Sequence, residues 1–273
     1  MVEKKTESLR EPFFFYLHFL DSHLPYEPPL NFQKFGRKNI FLPGILGKRI
    51  DFWSNWSEKR NHSLIGEKAF SSEEIKIMRD AYDNTLLFAD YQIQKIFQML
   101  IKKNLLQNTI LIITADHGEM LGESGKFGHQ LCLKEPLLHV PLIIYSPKIQ
   151  QKKETNIIET KDIFNIVLYL SKNGFEISYP RRDYAYGEYK ANKQFREDIL
   201  KLDPKKFTSA EFIRTDKFKL VSYNRGNKKL FRLDGEEIEI DDEETKDIME
   251  ELLRRKKTQI EKSRISNTVK DRL

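Results

Sequence analysis

The sequence predicts an α/β fold: a mixed sheet flanked by helices, with a small antiparallel subdomain towards the C-terminal end. Three observations carry this. Short apolar runs rich in β-branched and aromatic residues recur at 12–20 ("PFFFYLHFL"), 109–114 ("TILIIT") and 139–147 ("HVPLIIYSP"), the length and composition of buried strands. A long stretch of helical period separates the first run from the second. Beyond about residue 150 the texture changes to alternating segments broken by turn residues. The order strand, loop, helix, strand, loop, strand calls for helices packed on sheet faces.

Taken in order, 12–20 reads as a strand covered on both faces. "DSHLPYEPP" follows it as a loop, since its three prolines remove backbone donors and fix φ. Residues 31–70 carry Gly36, Pro43, Gly44, Gly47 and Gly66 and show no period, which reads as a long surface excursion or lid. A helix is predicted over about 72–103. Ser71 and Glu74 have capping-box spacing, and Ile75, Met78, Tyr82, Leu86, Ala89, Ile93, Ile96, Phe97 and Leu100 recur on one face. After 150 the expectation is a helix near 160–170, a strand at "RRDYAYGEY" and a charged connector over 190–210. Two or three antiparallel strands over 212–233 should follow, with "NRGN" as a turn, then an acidic stretch, a helix at about 243–257 and a basic tail. The predicted division is 1–150, a partial α/β domain, and 151–273, its remainder with the antiparallel strands, helix and tail.

Composition narrows the function classes. The 273 residues can bury a substantial core, and 39% hydrophobic with 32% charged residues describes a globular chain. The formal charge is +6, but the lysines and arginines are scattered apart from a group near the end, which reads as a solvated tail and no nucleic-acid surface. A single cysteine, Cys132, excludes an internal disulfide framework and a Cys-rich zinc site. The apolar run near the start is short, is interrupted by His18 and lacks a small-residue cleavage pattern, so it reads as a strand and no signal peptide. No run reaches membrane-span length. As written, the chain is expected to be cytoplasmic.

The polar residues with chemistry to offer collect after the strands, where α/β sheets place ligands. Asp116 and His117 directly follow "TILIIT", and Gly118 lets the chain turn so that both side chains can converge. A carboxylate and a neutral imidazole are sensible partial ligands for a divalent cation, although two residues are short of a complete shell. The plainer alternative is that Asp116 caps its own turn and His117 fills a polar pocket. His23 in "DSHLPY", His129 in "GKFGH" and Lys126 can contact an anion, and a histidine can act as general acid towards a departing oxygen. Gly122, Gly125 and Gly128 fit no phosphate-loop pattern. Asp21, Asp83 and Asp90 are weaker candidates; Asp83 and Asp90 read as helix residues that face solvent or cap neighbouring loops.

These segments, in this order, resemble the sulfatase family of the alkaline-phosphatase-like superfamily. "PFFFYLHFLDSHLPY" resembles its strand and H-x-P-Y loop. "TILIITADHGEMLGESGKFGH" resembles its strand and metal motif, and "LKEPLLHVPLIIYSP" the strand after it. "YGEY" and "IRTDKFKLV" resemble its C-terminal antiparallel region. The resemblance implies metal-assisted hydrolysis of a sulfate ester. Asp116 and His117 then match two ligands of a divalent cation, Ca²⁺ in most members. His23 matches the histidine that contacts the sulfate. His129 matches the position that contacts the sulfate and ester oxygen and assists the leaving group.

The chain also departs from the family pattern. Members carry two more metal carboxylates and a C-x-P-S-R or S-x-P-x-R segment, the source of the formylglycine nucleophile, ahead of the first matching strand; only eleven residues precede that strand here. Cys132 lacks the proline and arginine spacing and reads as a small core residue. Ser178 in "SYPRR" matches S-x-P-x-R literally but follows the metal motif, so it is not taken as the nucleophile. Three functions stay open: part of a sulfuric ester hydrolase, a catalytically silent binding subunit, or a phosphoester hydrolase or transferase of the same superfamily. An uncovered sheet edge at 12–20 leads to an expectation of association.

Overall fold

The computed structural model describes residues 11–36, 55–234, 236–240, 247–255 and 257–258. The chain divides into two compact units. The first comprises Met1–Ile113, Met120–Gly128 and Ile143–Lys148; the second comprises Thr114–Glu119, His129–Leu142 and Ile149–Leu273.

In the first unit, helix α1 (Trp56–Ile65) lies inside the stretch expected to be irregular. It ends at Gly66, whose φ of 102° is a left-handed value that a side chain resists, and whose N–H reaches the His62 and Ser63 carbonyls. Residues 37–54 of that excursion lie outside the described residues. Helix α2 (Ser72–Lys102) matches the expected span and begins with the expected capping box. Glu74 N–H donates to Ser71 Oγ at 3.2 Å and Ser71 N–H to Glu74 Oε2 at 2.8 Å, which satisfies two otherwise orphaned amides. The buried face of α2 includes Met78, Ala81, Asn84, Thr85 and Leu100, while Leu86 is exposed in spite of its period. Met78 packs with Trp56, Phe70 and Phe127, and Leu24 and Ile75 cover the edge of that cluster.

Strands β1 (Leu111–Thr114) and β4 (Leu142–Tyr145) pair as a two-stranded sheet. Between them in sequence, β2 (Met120–Leu121) and β3 (Phe127–Gly128) make a short antiparallel pair, Met120 opposite Gly128. The run at 12–20 departs from expectation. It forms no strand, and its exposure alternates residue by residue, with Phe14, Tyr16, His18 and Leu20 outward and Phe13, Phe15, Leu17 and Phe19 half-buried. The period of two is that of a strand, but a ladder needs a neighbour on at least one edge. Among the described residues no strand pairs with it.

In the second unit the single-turn helix α3 (Glu135–Leu138) precedes β4, and α4 (Asp162–Asn173) follows it. Then come β5 (Ala185–Lys190), β6 (Ser209–Arg214), β7 (Phe218–Tyr223), β8 (Lys228–Asp234) and β9 (Glu236–Ile240), a five-stranded sheet in sequence order with every pair antiparallel. The expected charged connector contains α5 (Lys193–Leu202), capped where Phe195 N–H donates to Asn192 Oδ1 at 2.9 Å and held by buried Phe195 and Ile199. The acidic stretch expected to lead into a helix also supplies a strand, β9. A helix α6 occupies 247–255 and 257–258 of the described residues; the predicted start at 243 lies outside them.

Alternation along the strands gives this sheet two apolar faces. On one, Ala210, Phe212, Val221 and Phe231 are covered by Leu133, Leu138 and Phe207. On the other, Ile213, Leu220 and Leu230 pack with Leu252 of α6, edged by Ile248, Met249 and Leu253.

Candidate functional site

The second unit holds Asp116, His117 and His129. β1 ends at Thr114, and the chain turns at once. His117 N–H donates to Asp116 Oδ1 at 3.0 Å, so Asp116 does cap its own turn, as the plainer alternative has it. This leaves Oδ2 directed outward, on a side chain that is 77% exposed. His117 Nδ1 lies 2.7 Å from the Gly118 carbonyl. A carbonyl can only accept, so Nδ1 carries the hydrogen and the lone pair sits on Nε2. Metal-binding histidines are set up by this type of contact. Nε2 stands 3.9 Å from Asp116 Oδ2, less than twice a typical Ca–O distance of about 2.3–2.6 Å, so one cation can touch both donors. The pair fits part of a divalent-metal shell. Among the described residues, no group of three or more His, Cys, Asp or Glu side chains is arranged to hold a metal.

Gly118 is required by sterics. Its N–H donates to the Leu137 carbonyl at 2.9 Å, and a Cβ there would meet Pro136 O at 1.9 Å, far inside contact distance. The backbone of the 116–118 turn is thereby pressed against α3.

The structure brings His129 to His117: their rings are 4.4 Å apart between centroids and tilted by 36°. His129 Nδ1 faces Glu119 Oε1 at 3.3 Å, and that carboxylate is buried, 4% exposed. Glu119 thus orients the His129 ring, a role spacing did not assign. The only sequence signal was a glutamate two residues after the Asp116–His117 pair, and it proves to be buried.

His23 and Lys126 belong to the first unit. His23 Nδ1 lies 2.7 Å from the Leu24 carbonyl, which again places the lone pair on Nε2, and the side chain is exposed. Its loop is anchored at both ends. Tyr26 is fully buried edge-on to Tyr82, at 5.3 Å between ring centroids. Further along, Asn84 on α2 accepts from Lys34 and Phe35 N–H at 2.7 and 2.9 Å and donates to Phe35 O at 3.1 Å. Lys126, half-buried, rides on the β2–β3 turn. That turn is tied to α2 where Arg79 Nε donates to Leu121 O at 2.8 Å and by Phe127 in the core.

The two residues set aside as nucleophiles sit in different surroundings. Cys132 is buried. In "SYPRR", Ser178 is exposed, and Arg182 is engaged with Glu159 and Asp162.

The mixed α/β arrangement with its C-terminal antiparallel sheet has an alkaline-phosphatase-like fold, by its likeness to solved structures. Solved structures with that likeness include a Bacteroides thetaiotaomicron protein described as a sulfatase (TM-score 0.61, 16% identity, 77% of this chain and 50% of the other). A phosphonate monoester hydrolase from Silicibacter pomeroyi is another (TM-score 0.59, 19% identity, 83% and 49%). The family description Sulfatase matches residues 1–174, and the chain belongs to the sulfatase family. Among curated relatives it is similar to arylsulfatase K of Canis lupus familiaris, 24% identical over 257 residues, or 85% of this chain and 47% of the relative. The chain spans about half the length of the curated relatives it matches.

Proposed function

We propose that this chain carries the metal and sulfate-contact half of a sulfuric ester hydrolase site, and that turnover belongs to a polypeptide that also supplies the formylglycine segment. The observation that carries the reading is the Asp116–His117 donor pair at 3.9 Å with His129 stacked against it. In this reading Asp116 Oδ2 and His117 Nε2 hold the cation, which when bound stabilises negative charge on sulfate oxygens. His129, its ring held through Nδ1 by Glu119, presents Nε2 to the ester oxygen and donates to it on departure when protonated there. His23 and Lys126 contact the substrate anion. Family membership and the arylsulfatase relatives favour sulfate over phosphate esters.

Two donors are fewer than the six to eight that Ca²⁺ takes. Calorimetric titration of the chain should therefore give weak Ca²⁺ binding that Asp116→Ala abolishes, and an aryl sulfate should not be turned over. Tight binding would mean that further ligands exist in these 273 residues. Turnover by this chain alone would refute the divided-site reading.

A further inference from the structure

Among the described residues of the second unit, one cationic side chain is fully buried and is not itself a proposed ligand. Lys219 on β7 is 0% exposed. Its ammonium donates to Leu133 O at 2.7 Å, to Glu237 Oε2 at 2.9 Å and to Glu135 Oε1 at 3.1 Å, and stands 5.7 Å from the Phe231 ring centre. Its three protons thus have three acceptors, the condition under which a buried ammonium is tolerated. Every acceptor belongs to α3 and its approach, or to the β9 residue that binds α3. Glu237 Oε2 also accepts the Glu135 N–H at 2.9 Å, closing the start of that turn. Arg214 on β6 grips Glu135 Oε2 with Nε at 3.0 Å and Nη2 at 2.9 Å. Leu133 and Leu138 are pressed on the same sheet face.

A four-residue helix has no stability of its own, so the sheet must fix it. α3 in turn receives the Gly118 amide on Leu137 O and leaves no room for a side chain at that glycine. Gly118 O is the acceptor that fixes the His117 tautomer. A continuous path of contacts runs from Lys219 through α3 to Gly118 and on to the His117 ring.

We propose that Lys219 and Glu237 are positioning residues for the Asp116–His117 pair: the C-terminal sheet holds α3, and α3 holds the metal loop in its ligand-presenting form. This rests on the reading of Asp116 and His117 as cation ligands, but the brace can be measured without it.

The test compares the full chain with Lys219→Met, Glu237→Gln and a control, Leu252→Ala. The control cuts the core on the opposite face of the same sheet and so lowers stability without touching α3. Two quantities are read under conditions where each protein is folded: amide hydrogen exchange at Gly118 and calorimetric Ca²⁺ affinity. Loss of the brace should speed Gly118 exchange by about tenfold or more, as local opening does, and weaken Ca²⁺ binding in Lys219→Met. Glu237→Gln should follow in the same direction, and its readings decide the matter if Lys219→Met does not fold. Leu252→Ala should leave Gly118 exchange near the parent value. Unchanged exchange in the folded brace variants would overturn the proposal, as would an equal effect of Leu252→Ala. If the parent chain takes up no Ca²⁺, the metal reading fails, while the exchange comparison still decides the brace.

Discussion

At the scale of single residues, the candidate site depends on very short distances. Gly118 is the sharpest case, because the added methyl of Gly118→Ala would start 1.9 Å from a backbone oxygen, which cannot swing aside as a side-chain tip can. Relief requires the loop to leave Leu137 O or α3 to move. The expected outcome is a destabilisation of roughly 1–3 kcal/mol, the range for overpacking, with Ca²⁺ uptake lost. Thermal unfolding and calorimetry check the two parts separately, and an alanine variant of unchanged melting temperature would refute the close approach. The sequence made Asp116 and His117 legible because they are chain neighbours beside a glycine after a strand. The Glu119–His129 contact was not legible: it joins residues ten positions apart through a fold-back that no period encodes. The same holds for Lys219, whose partners lie as far as 86 positions away.

At the scale of elements, what a sequence discloses depends on whether local signals decide the structure. α2 was legible because a capping box and a sustained period agree. β6, β7 and β8 were legible because Gly226, at φ 87°, marks the turn between the last two. α1 and α5 were missed, as each is ten residues long and rests on tertiary burial of a few side chains. β9 was missed because a run of like charges gives no strand signal of its own; Glu237 is drawn inside by Lys219, a partner 18 positions away. That ion network also makes stability depend on pH. Burial opposes ionisation of Glu135, but the Arg214 hydrogen bond and the charges of Lys219 and Arg214 outweigh it and hold its pKa below the ordinary carboxylate value. The folded state therefore binds the proton less readily than the unfolded state. The stabilisation is fully present above the unfolded pKa of about 4.3 and is lost as pH falls through the depressed folded value. The melting temperature should be level near neutrality with respect to this group and fall in acid. Glu135→Gln should start lower and lose less on acidification; parallel curves for the two proteins would remove Glu135 from the account.

At the scale of the whole molecule, the decisive observation concerns the apolar run ahead of the H-x-P-Y loop. Phe14 is 74% exposed, Tyr16 75% and Leu20 68%, three large side chains on one side of a segment that keeps strand periodicity without a strand neighbour among the described residues. β4 adds Ile143 as a further exposed aliphatic. Apolar area left in water at about 25 cal/mol per Å² favours any partner that covers it, and a segment that pairs with no strand among the described residues favours a partner that adds one. Relatives about twice as long belong to the same family, so further polypeptide of the family type is the natural cover. Without it, the chain is expected to associate with itself. Sedimentation velocity over a range of concentrations should show growth of larger species, and Phe14→Ser with Tyr16→Ser should reduce it while leaving the circular dichroism spectrum in place. A monodisperse monomer that unfolds cooperatively at high concentration would show that the 12–20 face needs no cover, and with it the divided-site reading would lose its physical motive.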